Sequence, residues 1–417
     1  MNETIVFIKI AGVGMLPTAL LARELGFSIV GFEDSIYPPA SDVLKNENIH
    51  PKPLSNCSDE DLEKAKYIIV GNSLPKNHPL SEKLLLFKDK LLSFPRFLKN
   101  FVFSNKEVIG IAGTHGKSSS SFFMVQILEK LGFNPGYLIG AQLPNRPSAK
   151  LGTDFFVIEC DEYDSAFFEK IPKIRIYEPD HLLITSLEFD HADIFTNLEE
   201  IEDQFRQLSC TGIVMQHEDL REKKLFHDSF FYKLKEAKSK LGFHYEENIL
   251  GCTSLLEKMH LNVSINPNEI LLPAKREEYL GKYKNLSVIN DFAHHPTAIR
   301  KTLQSFMKRF PGPYFAIYCP ESFTSRSNFF LSEYIKIFQT EFHLESLLFV
   351  KNMSLNSSLD FLALEKNIPN SKTADTLDDI LSYIENISKE DGSLLIMDNR
   401  NCYGLWSHTS FTKSLRK

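Results

Sequence analysis

The chain has 417 residues, 43% of them hydrophobic and 24% charged, with a net charge of −7. Acids and bases are interspersed, so a nucleic-acid surface or a basic membrane patch is not expected, and the length allows two or three globular cores. No apolar run reaches membrane-spanning length, the start lacks a signal-peptide layout, and six scattered cysteines without a Cys-x-x-Cys pair argue against a zinc site or a disulfide framework and for a reducing cytoplasm.

The first block, residues 1–105, alternates strands and helices. Ile5–Ile10 reads as a buried strand and runs into Ala11-Gly12-Val13-Gly14-Met15. Helical spacing follows over Leu16–Leu25, stopped by Gly26. Phe27–Phe32 is a second strand with Glu33 at its end, where a ribose hydroxyl would lie, and Tyr67–Val70 is a later one followed by Gly71-Asn72-Ser73. The pattern predicts a small doubly wound α/β domain that takes a nucleotide-like group at its strand ends.

The second block, residues 106–272, opens on Val108–Ala112, an apolar strand that ends in Gly113-Thr114-His115-Gly116-Lys117-Ser118. A helix is expected over Ser119–Leu131. Strand, Gly-rich turn and helix make a phosphate loop: glycines let backbone N–H groups converge on an anion, and the helix start adds partial positive charge. Lys117 supplies a cation for the β- and γ-phosphates, and the Ser118 hydroxyl can ligate Mg²⁺. Downstream, Phe155–Ile158 delivers Glu159, Asp161, Glu162 and Asp164, and a strand over His181–Leu187 delivers Glu188, Asp190, His191 and Asp193. Two strands ending in carboxylates beside a phosphate loop suggest a divalent metal, with a second position at the histidine. Asp219–Gly242 reads as one or two surface helices.

In the third block, residues 273–417, strand Ser287–Asn290 ends in Asp291-Phe292-Ala293-His294-His295-Pro296-Thr297, and a helix over Ala298–Phe310 follows. Strands Tyr314–Cys319, Leu347–Val350 and Ser393–Met397 each carry polar residues at their carboxyl ends. Among these are Glu321 and the segment Ser325-Arg326-Ser327-Asn328. This too is an α/β pattern with its ligand edge at the strand ends.

Taken in order, the segments Ala11–Met15, Gly113–Ser118, Glu159–Asp164, Glu188–His191 and Asp291–Thr297 resemble the Mur ligases, ATP-dependent amide-forming enzymes of bacterial peptidoglycan. The resemblance spans nearly the whole chain. It implies three domains: a Rossmann-like N-terminal domain for a UDP-sugar, a P-loop ATPase-like central domain, shortened here, and a Rossmann-like C-terminal domain contacting ATP and the amine. It implies ATP and Mg²⁺ as cofactors, small-molecule substrates, no nucleic acid or membrane partner, a cytoplasmic location, and a monomer or weak oligomer.

Within the family, Glu162–Phe168, Asp190–Phe195 and Tyr37-Pro38-Pro39 look most like the branch that joins UDP-N-acetylmuramate to L-alanyl-γ-D-glutamyl-meso-diaminopimelate. The alternatives are the branch that adds L-alanine alone, or a Mur-like sugar-nucleotide-binding protein with weak catalysis. By family match, Lys117, His115, His191, Asp291 and His294 would be catalytic. Gly113, Thr114, His115, Gly116, Lys117, Ser118, Ser119, Asn248, Arg276 and Asp291 would bind ATP. Gly12, Val13, Gly14, Met15, Glu33, Asn72 and Ser73 would hold the UDP-sugar, Arg326 and Asn328 the peptide, and Ser118, Glu159 and His191 the metal.

The chain also departs from the family pattern. Ser118 stands where Thr is usual, and Thr185-Ser186 replaces a pair ending in Asn. The stretch from Cys210 to Asn248 is short, and the adenine clamp is reduced to Glu247–Gly251. These changes bear on nucleotide affinity and peptide choice more than on the chemistry.

Overall fold

The computed structural model describes residues 3–188, 197–208, 210, 212, 214–215, 230–231, 241–322 and 324–415. The chain forms two compact units. The first comprises Met1–Glu188 with Asn197–Lys233 and Asn248–Asn266, and the second is built on Pro267–Lys417 with residues 241–247.

The first unit contains two sheets. β1 (Thr4–Ile8), β2 (Ser28–Phe32), β3 (Tyr67–Val70) and β4 (Leu91–Ser93) form a parallel sheet in the order β2-β1-β3-β4. β1 ends two residues earlier than expected because Lys9 takes a left-handed φ of 61° and turns the chain out of the sheet. The helix Met15–Glu24 follows, with eight of its residues buried.

The second sheet uses β5 (Glu107–Ala112), β6 (Gly136–Leu138), β7 (Ala149–Lys150), β8 (Phe155–Cys160), β11 (His181–Ile184), β12 (Val214–Met215) and β13 (Phe230–Phe231), in the order β13-β12-β11-β5-β8-β6-β7. All its pairs are parallel except β6 with β7. Parallel strands buried on both faces read as continuous apolar runs, which is why β5 and β8 were legible. β11 stops at Ile184, three residues early, because residues 185–188 turn over the phosphate loop. The helices expected over Asp219–Gly242 are corrected at Phe230–Phe231, which pairs with β12 as a strand. A two-residue strand is too short to carry a period. Most of the short stretch before Asn248 lies outside the described residues. A helix at Phe243–Lys258 was not foreseen.

A two-stranded hairpin, β9 (Asp164–Ala166) and β10 (Glu169–Pro172), ties the two sheets. Its Phe167 is 8% exposed and packs with Val6, Ile8, Phe32, Ile68 and Val70 of the first sheet. Its Glu169 carboxylate accepts from Arg96 Nε at 3.2 Å and Nη2 at 2.6 Å, and from the Ser93 hydroxyl.

The second unit holds a mixed sheet in the order β14-β15-β19-β16-β17-β18. Its strands are β14 (Glu278–Tyr283), β15 (Leu286–Asp291), β16 (Tyr314–Cys319), β17 (Ser346–Val350), β18 (Ser371–Ala374) and β19 (Gly392–Asp398). Only β14 runs antiparallel, against β15. Apolar clusters fill both faces. The cysteines do not all stand apart: Cys319 and Cys402 are paired, with Cα atoms 5.7 Å apart. The register that sets Cys319 against Asp398 puts the end of β16 beside the end of β19, and the chain after β19 brings Cys402 back. Cys57, Cys160, Cys210 and Cys252 are free thiols.

Phe167→Ala should cost the first unit about 3 kcal/mol, the usual loss for emptying a buried aromatic site. Urea denaturation would check this, and an unchanged midpoint would mean that the hairpin does not anchor the first sheet.

Candidate functional site

β5 is the switch point of its sheet: β8 lies on one side and β11 on the other, and the crevice beyond their carboxyl ends is where such sheets hold ligands. Ala112 is in register with Cys160 and with Ile184, so the three strand ends are flush. The phosphate loop fills the crevice. Gly113 has φ 123° and Gly116 φ 85°, and Gly116 precedes the helix Lys117–Lys130.

A Cβ on Gly113 would lie 2.5 Å from Thr185 Oγ1 and 2.6 Å from the Ser186 carbonyl, so only glycine fits. The segment after β11 holds the loop's shape. Thr114 N–H donates to the Ser186 carbonyl at 3.0 Å, His115 N–H to Ser186 Oγ at 2.9 Å, and Glu188 N–H to Thr114 Oγ1 at 2.9 Å. The Thr185 hydroxyl donates to the Ala112 and His115 carbonyls. His115 Nε2 lies 3.7 Å from Glu188 Oε2. Lys117 Nζ donates to the Gly113 carbonyl at 2.6 Å. Asn248 stands over the same turn, its Oδ1 3.2 Å from where a Gly116 Cβ would be. Ser119 is buried in the first helical turn.

Ser118 Oγ donates to Glu159 Oε2 at 3.0 Å, and Gly140 N–H to Glu159 Oε1 at 2.6 Å. Burial, and then the neighbouring Asp161 charge, push the Glu159 carboxyl up. A buried carboxylate with a hydroxyl beside it is a hard-oxygen donor set that fits Mg²⁺ next to phosphates. Asp161 behaves oppositely: burial alone would raise its pKa, but the Lys173 and Lys117 ammonium groups outweigh it and hold it at about 2. His191 lies outside the described residues.

The Gly12–Met15 loop reaches the same place. Val13, 70% exposed, has Cγ1 3.6 Å from the Cβ position of Gly140, whose N–H holds Glu159. Gly14 caps the helix Met15–Glu24, and a Cβ there would strike Phe94 at 2.8 Å. Met15 packs against Gly71 at the end of β3, leaving Asn72 and Ser73 exposed beside the loop. Glu33 is buried, not solvated. It accepts from Lys9 Nζ at 3.0 Å and from Ala11 N–H at 3.3 Å, so it shapes the glycine loop directly.

In the second unit, Asp291 is likewise spent on backbone. Its carboxylate accepts from Glu277 N–H and Ala293 N–H, each at 2.8 Å, and from Thr302 Oγ1 at 3.0 Å. Burial pushes it up against the opposing Arg276 charge. Arg276 stacks on Phe292 at 4.6 Å. The His294 carbonyl accepts from the Tyr318 hydroxyl at 2.8 Å, and its Nδ1 lies 3.1 Å from the Phe292 carbonyl. Arg326 donates Nε to the Ser322 carbonyl at 3.2 Å and Nη1 to the Asn356 carbonyl. Asn328 Oδ1 accepts from Asp360 N–H at 2.8 Å. Arg326 and Asn328 therefore share one loop cluster with residues 356–360.

Residues 111–213 match the Mur ligase middle domain. The chain is 33% identical over 347 residues to UDP-N-acetylmuramate–L-alanyl-γ-D-glutamyl-meso-2,6-diaminoheptandioate ligase of Escherichia coli K12, covering 73% of this chain and 75% of that one. The chain belongs to the Mur ligase family. It is 28% identical over 379 residues to UDP-N-acetylmuramate–L-alanine ligase of Desulfitobacterium hafniense, covering 80% of this chain and 81% of that one. In fold it resembles a murein peptide ligase from Psychrobacter arcticus, with TM-score 0.70, 24% identity and 99% and 98% of the two chains covered. It also resembles the UDP-N-acetylmuramate–alanine ligase of Thermotoga maritima, with TM-score 0.76, 18% identity and 99% of each chain covered.

Against this Mur ligase frame, the structure adds residues that the sequence left unmarked. Lys173 follows Pro172, is 5% exposed and donates to Asp161 Oδ2 at 2.9 Å. Lys275 donates to buried Asp398 at 2.7 Å and to the Arg400 carbonyl at 2.6 Å, tying the residues before β14 to those after β19. Glu277 is buried against Ser305 and Arg309, and burial, with Asp291 next, pushes it up to about 7. A strand-end acid was the available signal only for Asp398.

Gly113→Ala should destabilise the first unit by roughly 2–4 kcal/mol, combining a disfavoured φ with overpacking against Thr185 and Ser186. Thermal melting would measure it, and an unchanged melting temperature would contradict the described turn.

Proposed function

We propose that the chain is the Mur ligase that joins UDP-N-acetylmuramate to L-alanyl-γ-D-glutamyl-meso-diaminopimelate at the expense of ATP, in the cytoplasm, returning recovered peptide to peptidoglycan synthesis. One observation carries the reading: the Gly12–Met15 loop and the phosphate loop meet at Gly140 and Glu159 within one unit. That juxtaposition suits phosphoryl transfer from a nucleotide on one loop to a carboxylate presented by the other. The choice of peptide over L-alanine rests on the relative at 33% identity, whose name specifies the peptide. Residues 1–105, 106–272 and 273–417 would act as the sugar-nucleotide, ATP and amine domains.

The chemistry follows from the reactivity of a carboxylate, which an amine cannot attack at neutral pH. The sugar carboxylate displaces ADP from the γ-phosphorus and becomes an acyl phosphate. The peptide amine adds to its carbonyl, and the tetrahedral intermediate collapses to the amide and inorganic phosphate. Such transfer depends on positioning and charge neutralisation. The loop N–H groups of Gly113 to Ser119 would cradle the phosphates. Lys117 would neutralise the γ-phosphate, and His115, held near Glu188, would face the acyl acceptor. Ser118 and Glu159 would hold Mg²⁺, with His191 for a second ion, and the metal would supply charge neutralisation at the phosphates. Asn248 stands over the phosphate turn, so it would contact the nucleotide there. Asp291 would act by shaping the loop that presents Arg276 and His294. Arg326 and Asn328 would receive the peptide, Arg326 through the N–H groups that its two backbone contacts leave.

Phosphate release from ATP should require both UDP-N-acetylmuramate and an amine substrate, with the tripeptide far better than L-alanine. Rapid ATP hydrolysis with neither present, or equal rates with both amines, would sink this reading. Lys117→Ala should lower turnover at least about 10²-fold, the usual cost of removing a transition-state charge stabiliser. Arg326→Ala should lower kcat/KM for the tripeptide by a factor equivalent to about 2–5 kcal/mol, the cost of removing one partner of a charge pair that the bound peptide would bury. Any L-alanine use should change less, which parallel assays would check.

A further inference from the structure

Asp161 carries one negative charge beside two ammonium groups. Lys173 Nζ is 2.9 Å from Oδ2, and Lys117 Nζ is 3.8 Å from Oδ1. The two lysines are placed differently. Lys117 is hydrogen-bonded within the phosphate loop, to the Gly113 carbonyl. Lys173 is buried away from it, its ammonium 4.1 Å from the Tyr163 ring and 5.2 Å from that of Phe94. Backbone bonds fix its position, Lys173 N–H to the Tyr163 carbonyl and Ile174 N–H to the Asp161 carbonyl, each at 3.1 Å. The Tyr163 hydroxyl also bonds Asp161. Burying an ammonium costs free energy unless it is paired, and pairing it here satisfies the carboxylate that faces the loop cation.

We propose that Lys173 is a positioning residue for the phosphate-loop cation: by neutralising Asp161 it weakens that carboxylate's competition with a nucleotide phosphate for the Lys117 ammonium. Without Lys173, Asp161 has Lys117 as its one nearby ammonium partner among the described contacts and competes with the phosphate for it. The same Lys173 touches Phe94, which abuts Gly14, so it sits on the wall shared by the ATP and sugar-nucleotide loops. The inference rests on the ATP-site reading above.

The test uses the full chain and four proteins: wild type, Lys173→Met, Lys173→Arg and the double variant Asp161→Asn/Lys173→Met. Calorimetry gives the affinity for a non-hydrolysable ATP analogue, and steady-state kinetics give the KM for ATP and for UDP-N-acetylmuramate. Lys173→Met should weaken the analogue and raise the ATP KM by about 10-fold or more, leaving the sugar-nucleotide KM within about 2-fold, because the lost neutralisation acts on the partly buried Lys117. Lys173→Arg keeps the charge and should stay within about 5-fold of wild type. The double variant removes the competing carboxylate along with its partner and should return to within about 5-fold.

Wild-type affinity in Lys173→Met, equal weakening of both substrates, or a double variant as weak as Lys173→Met would overturn the proposal. If Lys173→Met does not fold, the double variant decides, since it leaves no unpaired charge at the pair: near-wild-type affinity supports the proposal and a loss beyond about 10-fold overturns it. A wild type that fails to bind the analogue overturns the ATP-site reading and this inference with it. A wild type that binds while Lys173→Met is unchanged overturns the inference alone.

Discussion

The parallel register of β11, β5 and β8 is the constraint on which the first unit's chemistry depends. It sets Ala112 level with Ile184 and Cys160, so one strand end delivers the phosphate loop while its neighbours deliver a hydroxyl pair and a carboxylate. The turn at Gly113 can close only because no side chain stands between it and Thr185-Ser186. In exchange, those residues supply the hydrogen bonds that hold the loop's backbone. A loop fixed in this way pays little to reorganise when an anion arrives, the condition under which fixed N–H dipoles are effective.

Carboxylates at strand ends take two distinct roles. Glu159 has a hydroxyl beside it, and burial with the neighbouring Asp161 charge pushes its carboxyl up, the arrangement on which the proposed Mg²⁺ site is built. Glu33 and Asp291 instead spend their oxygens on backbone N–H groups and shape the loops that follow β1 and β15. Asp398 holds the segment after β19 through side chains, accepting from Lys275 Nζ and Trp406 Nε1, and Glu321 accepts there from Asn401 N–H. Buried carboxylates are stable only when such partners meet them, so each one marks a loop whose conformation is set before any ligand binds.

Membership of the Mur ligase family accounts for the order of the blocks, and the departures fall where the structure supplies substitutes. Thr185-Ser186 still roofs the phosphate loop, by hydroxyls. Asn248, in the reduced clamp, rides on the helix Phe243–Lys258 over Gly116. The segment Glu162–Phe168 is chiefly architectural: its hairpin inserts Phe167 into the first sheet's core and presents Glu169 to Arg96.

The sequence by itself determined the α/β class, the strands Tyr67–Val70 and Tyr314–Cys319 to the residue, and the glycine turn between β5 and the helix that follows it. These are local patterns: apolar runs of strand length and glycines at turns carry their meaning within a few residues. Only the tertiary structure decided what the charged residues do. Lys173 is twelve residues from Asp161 and Lys275 is far from Asp398, so no spacing announces either pair. Cys319 and Cys402 are 83 residues apart and meet because β16 and β19 are neighbours. The pairing of β12 with β13, two residues each, was equally illegible, since so short a strand is specified by its neighbour rather than by its own period. Charge pairing and edge pairing depend on which strands lie side by side, and that order is a property of the whole packed sheet.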